Sequence, residues 1–116
     1  MAAGTMVIQL HGRLDVQGGA ALLQRIAAVA QVDSPFWALD MGNVDFIDSA
    51  GLVALIEAFQ TAVQAGASLV LCSVRPPARL ILDITQLDQV FTIFNSYEEF
   101  LLTLPKSVEL REPALV

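Results

Sequence analysis

The sequence predicts an α/β domain, with a mostly parallel or mixed sheet of about four strands and about four helices. Three observations carry this. Short apolar runs alternate with stretches of helical periodicity in the order β-α-β-α-β-α-β-α, the pattern of strands joined by crossover helices. Apolar residues make up 55% of the 116 residues and charged ones only 16%, against ~25% charged in an average domain. That balance suits strands buried on both faces, or a surface reserved for a partner. The run SLVLCSV, residues 68–74, is apolar with β-branched members and reads as a buried strand.

The elements follow in order. MVIQL, residues 6–10, alternates weakly as a strand, which His11-Gly12 closes. Gly18-Gly19 breaks the chain, and Leu22, Leu23, Ile26, Ala27 and Ala30 then fall on one face of a helix over 20–32. FWALDM, residues 36–41, is a short strand ended by Gly42-Asn43, and 44–47 is a brief apolar connection. Asp48 is a natural N-cap for a helix over 50–64, with Leu52, Leu55, Ile56, Phe59 and Val63 as its core stripe and Gly66 just past its end. After SLVLCSV, Pro77 opens a helix whose apolar face is Leu80, Ile81, Ile84 and Leu87. FTIFN, residues 91–95, is a further strand, and Asn95-Ser96 caps a last helix over 97–104, ended by Pro105. One domain thus spans 1–104. The tail, 105–116, mixes charge and proline; it is expected to be mobile or to pair with the sheet edge, Val108 and Leu110 alternating as in a strand.

Charge and motifs exclude several function classes. Six Lys and Arg against twelve Asp and Glu give a net charge of −6, so no cationic stripe for nucleic acid or anionic lipid is expected. No apolar run is long enough to span a bilayer, and MAAGTMVIQL lacks the basic start of a signal peptide. Cys72 is the single cysteine, which fits a reducing, cytoplasmic setting. There is no GxxxxGK[ST] and no GxGxxG, and one His with one Cys cannot build a Cys/His metal site, so neither cofactor nor metal is expected. His11 reads as structural or exposed rather than catalytic, and Cys72 as a small buried hydrophobe.

The segment that stands out is Asp45-Phe46-Ile47-Asp48-Ser49-Ala50-Gly51-Leu52. Its structural reading is a helix N-cap, Asp48 or Ser49, with Gly51 as a small first-turn residue. Its functional reading places Ser49 in the first turn of a helix, at the carboxyl end of a parallel strand, where open α/β sheets present their sites. A phosphate there would add about −1.5 to −2 charges, a ready switch.

These residues, with Gly12-Arg13-Leu14-Asp15, Leu39-Asp40-Met41, 65–71 (AGASLVL), 87–91 (LDQVF) and 94–100 (FNSYEEF), resemble the STAS domain, and the resemblance runs from about Val7 to Leu104. STAS domains are shared by anti-sigma-factor antagonists and the cytoplasmic tails of sulphate transporters. The resemblance implies a non-enzymatic, cytoplasmic, phosphorylation-switched binding module that takes up an anti-sigma factor with a GHKL-type kinase domain and so releases a sigma factor. It implies that Ser49 is the phosphorylation site, and that a PP2C-type phosphatase restores binding. It also implies a partner surface of Asp15, Asp45, Asp48, Ser49, Ala50, Gly51 and Leu52. This chain departs from the pattern in two places. Ala50 stands where many relatives carry a second hydroxyl, and the extra strand with which relatives usually begin, ahead of the one ending in G-x-L-D, is expected to be missing, since only residues 1–5 precede Met6. The latter leaves an edge for the tail or a second copy in a homodimer. The alternative is a phosphorylation-independent accessory subunit of a transport or signalling complex. A serine hydrolase built on Ser49 lacks a base and an oxyanion loop.

Overall fold

The computed structural model describes residues 4–104 and 114–115. Five strands form one sheet in the order β4-β3-β2-β1-β5. They are β1 Thr5–Leu14, β2 Phe36–Ile47, β3 Ser68–Cys72, β4 Thr92–Phe94 and β5 Ala114–Leu115. Every pairing is parallel, so the mixed alternative drops out. The helices are α1 Val16–Val29, α2 Ser49–Gln64, α3 Pro76–Ile84 and α4 Tyr97–Leu101.

Strand alternation sends side chains to two clusters. Met6, Ile8 and Leu10, with Trp37, Leu39 and Met41 and with Leu69 and Leu71, meet α1, α2 and α3 in the main core. Ala38, Val70 and Cys72 meet Phe100 of α4 on the opposite face, where Phe36, Phe94 and Tyr97 close around them. Phe100 makes an edge contact with Phe36, ring centroids 5.8 Å apart, the geometry the ring quadrupole favours. Burial pushes the Cys72 thiol up to about 12, with the Asp40 carboxylate adding to the shift. Cys72 is therefore expected to resist iodoacetamide in the folded protein and to react once denatured, which intact mass reads directly.

Two expected breaks are bulges instead. Gly12 has φ +74°, and β1 continues through it to Leu14. β2 likewise runs through Gly42-Asn43 to Ile47, so 44–47 is strand rather than connection. The register slips from Gln9↔Asp40 to His11↔Asn43, and again from Gly12↔Val44 to Arg13↔Phe46. Each slip inserts one extra residue in β2, and at the second that residue is Asp45. A bulge bends the strand and re-aims its side chains; Asp45 and Phe46 face solvent while Val44 and Ile47 stay buried.

The helices also differ in detail. α1 starts at Val16, four residues before the expected start, because Asp15 caps it and Gly18-Gly19 lie inside its first turns. α2 buries Ala54, Leu55, Ala58 and Ala62 and leaves Val63 60% exposed. The reason is close packing: a Cβ at Gly19 would stand 2.9 Å from the Ala54 Cβ, so small residues face α1 where a size-weighted stripe expects large ones. In α3, Ala78 and Leu82 are buried while Leu80 and Ile84 are exposed, and Leu87 belongs to a 3-10 turn. α4 ends at Leu101 rather than 104, with Ser96 accepting from the Glu99 N–H at 3.0 Å as its cap.

β1 is the first strand among the described residues. Its outer edge meets β5 only at Met6 and Val7. The expected pairing segment, 107–110, lies outside the described residues.

Candidate functional site

Two helices begin side by side at one end of the sheet. The register places Leu14 opposite Ile47, so the next residues, Asp15 and Asp48, leave adjacent strands together. Each is extended and caps its helix in the same way. Asp15 Oδ1 accepts from the Gly18 N–H at 3.0 Å, and Asp48 Oδ1 accepts from the Gly51 N–H at 3.0 Å. Each cap satisfies an orphan donor of the first turn. The Asp48 N–H donates to the Leu14 carbonyl at 3.2 Å, tying the two starts to each other.

The glycines are required by close approach. A Cβ at Gly51 would collide with the Leu14 carbonyl oxygen and stand 2.8 Å from its carbon. A Cβ at Gly18 would collide with the Arg13 carbonyl oxygen. The motif is therefore a doubled one: apolar–Asp–x–x–Gly at Leu14-Asp15…Gly18 and at Ile47-Asp48…Gly51.

Ser49 is the first residue of α2 and is exposed. Asp48 does the capping, and Ser49 Oγ makes no hydrogen bond among the described residues. Ala50 is half-buried beside a shallow groove between α1 and α2, with Val16 and Val53 on its walls. Gly51 is buried under the Leu14 backbone. Leu52 packs partly against the main core rather than joining the outer surface. Asp45 is exposed on its bulge. The structure thus brings Asp15, Asp48, Ser49 and Ala50 to one corner, with Asp45 three residues back along β2 on its bulge and Gly51 and Leu52 beneath the corner.

Sequence reasoning missed Arg13, Phe46, Val16 and Val53. The Arg13 guanidinium lies 4.1 Å over the Phe46 ring and its Nε stands 3.5 Å from Asp15. Val16 is 71% and Val53 53% exposed, so the corner carries apolar surface as well as charge. The doubled apolar–Asp–x–x–Gly motif was the available signal for the first half of this corner.

The Gly18 N–H chiefly holds the Asp15 carboxyl below its ordinary 3.8; modest burial opposes this and Arg13 reinforces it. A depressed folded value means the stabilisation is complete above 3.8 and is lost as pH falls through the folded value. Asp15→Asn is expected to flatten the fall of melting temperature with acid below about pH 4, measured by circular dichroism.

Among the described residues no cluster of His, Cys, Asp and Glu could hold a metal ion, and no helix is long and apolar enough to cross a membrane.

Comparison with known proteins places the chain in a family. The chain is 26% identical over 94 residues to a protein named anti-sigma F factor antagonist from Paenibacillus polymyxa, covering 80% of each. The STAS domain of the SulP transporter of Vibrio cholerae superposes with a TM-score of 0.74 at 16% identity, over 89% of this chain and 84% of that one. SpoIIAA of Bacillus in its phosphorylated form superposes with a TM-score of 0.65 at 19% identity, over 87% and 91%. These two structural likenesses speak for the fold. The STAS-domain family model matches residues 2–100, nearly the whole chain, and the chain therefore belongs to the STAS-domain family.

Proposed function

We propose that this chain is an anti-sigma-factor antagonist, a non-enzymatic cytoplasmic module whose binding is switched off by phosphorylation of Ser49. The partner is an anti-sigma factor carrying a GHKL-type kinase domain; its capture releases a sigma factor, and a PP2C-type phosphatase reverses the modification. One observation carries this reading: Ser49 stands exposed at the start of α2 with its hydroxyl unengaged among the described residues, because Asp48 has taken the capping role. A kinase can reach such a hydroxyl without opening the fold. The matched relative from Paenibacillus polymyxa bears the antagonist name, and a fold neighbour has been solved phosphorylated, which supports the same reading.

The partner surface in this proposal is Asp15, Asp45, Asp48, Ser49 and Ala50, with Gly51 and Leu52 as its support and Arg13, Phe46, Val16 and Val53 as its rim. Phosphate at Ser49 adds charge next to Asp48 and at the corner that Asp15 shares. Backbone N–H groups and the helix dipole offset this by roughly 0.3–1 kcal/mol, small beside a folding free energy of ~5–15 kcal/mol. The modification therefore acts on the interface and leaves the fold in place.

The test is kinase treatment followed by intact-mass and peptide mapping. One added phosphate is expected, lost in Ser49→Ala, since Ala50 offers no second hydroxyl. Phosphate at Ser73, Thr92 or Ser96 would overturn the assignment. The likeness to a transporter STAS domain favours a second reading, a phosphorylation-independent subunit of a transport complex. Unmodified mass after treatment with every GHKL kinase of the same genome would support that reading.

A further inference from the structure

A cavity of about 120 Å³ lies between β1 and α1, on the side of α1 away from the groove that Ala50 and Val53 line. Leu10, Leu14 and Leu22 are buried and make its floor, while His11, Arg13 and Arg25 also line it. This composition departs from the rest of the molecule. The chain has twelve acidic residues, six basic ones and a single His, yet among the described residues no Asp or Glu lines the cavity, and the His and two of the arginines do.

The cationic groups are held differently. Arg13 is engaged by Asp15 and by the Phe46 ring. Arg25 is anchored at one nitrogen only, Nη1 donating to the Gln9 carbonyl. That bond holds the guanidinium at the rim, its other donors have no partner among the described residues, and a guanidinium presents paired donors matched to a carboxylate. His11, exposed on β1, adds a ring N–H. Below them the wall is apolar, so the site pairs one anionic head with a short hydrocarbon stem, the usual division of labour in a small-molecule pocket.

We propose that this cavity binds a small organic carboxylate with a short apolar stem, its head held by Arg25 and His11 and its stem against Leu10, Leu14 and Leu22. The site is separate from Ser49 and does not depend on the antagonist reading.

Titration of the full ¹⁵N-labelled chain with butyrate at constant ionic strength tests this. Saturable shifts confined to amides of 10–14 and 18–25 are expected, with affinity on the order of 1 mM. Arg25→Gln is expected to weaken binding at least ~5-fold with an unchanged melting temperature; if that variant does not fold, His11→Gln serves in its place with a smaller loss. n-Butanol, which keeps the stem and lacks the charge, and inorganic phosphate, which lacks the stem, are each expected to bind more weakly. Absence of saturable shifts, equal binding by the variant that folds, or equal response to butanol or phosphate would overturn the proposal.

Discussion

Gly51→Ala is expected to destabilise the protein by about 3 kcal/mol or more and to move the start of α2. The new Cβ would occupy the space of the Leu14 carbonyl oxygen, a backbone atom with no rotamer by which to retreat. Relief requires β1 and α2 to separate, which strains the Asp48 N–H bond to the same carbonyl and the cap on Gly51. Thermal and urea unfolding with the wild type as reference check this. As an internal contrast, alanine at Gly66 meets no atom within 4 Å; its cost is confined to a backbone at φ +75° and is expected near 1 kcal/mol. A Gly51→Ala protein as stable as the wild type would mean that α2 does not start where it is described.

Ser49→Asp is expected to weaken binding to the proposed anti-sigma kinase at least tenfold, while Ser49→Ala keeps it. Tenfold is ~1.4 kcal/mol, well within the cost of burying one uncompensated carboxylate at an interface. In sequence the nearest basic residues to Ser49 are Arg25 and Arg75, which promises little compensation. The fold changes the identity of the nearby base but not the conclusion: Arg13 stands at the corner, yet it already holds Asp15 and stacks on Phe46. Asp48 precedes Ser49 directly and Asp15 leaves the neighbouring strand beside it, so the added charge meets more of its own sign. Alanine removes only a hydroxyl that bonds to nothing described, so it leaves the contact surface nearly unaltered.

How far the sequence reaches can be judged from particular residues. The α/β class, the parallel order and the α2 boundary were legible, because crossover helices enforce alternation and because Asp48 followed by an apolar run is a local signal. The bulges were not. Gly12 and Gly42 read as strand ends, since a glycine that ends a strand and one that kinks it look identical until the partner's register is known. α1 begins earlier than its sequence suggests for a related reason: Gly18 counts as a breaker by propensity, and only the Arg13 carbonyl above it shows why glycine is needed inside the turn. The corner was half legible. Asp45, Asp48 and Ser49 lie within one short segment of the sequence, whereas Arg13 and Phe46 meet only through the shifted pairing of β1 with β2, a contact that no single segment encodes.

The measurement that bears most directly on the central claim is calorimetric titration of the cognate anti-sigma kinase with four forms of this protein: unmodified, Ser49→Ala, Ser49→Asp and stoichiometrically Ser49-phosphorylated. The expected result is equal, tight binding by the first two and affinity at least ~10-fold weaker for the last two, with all four sharing one circular-dichroism spectrum. Equal affinities across the four forms would contradict the account and show that Ser49 is not the switch.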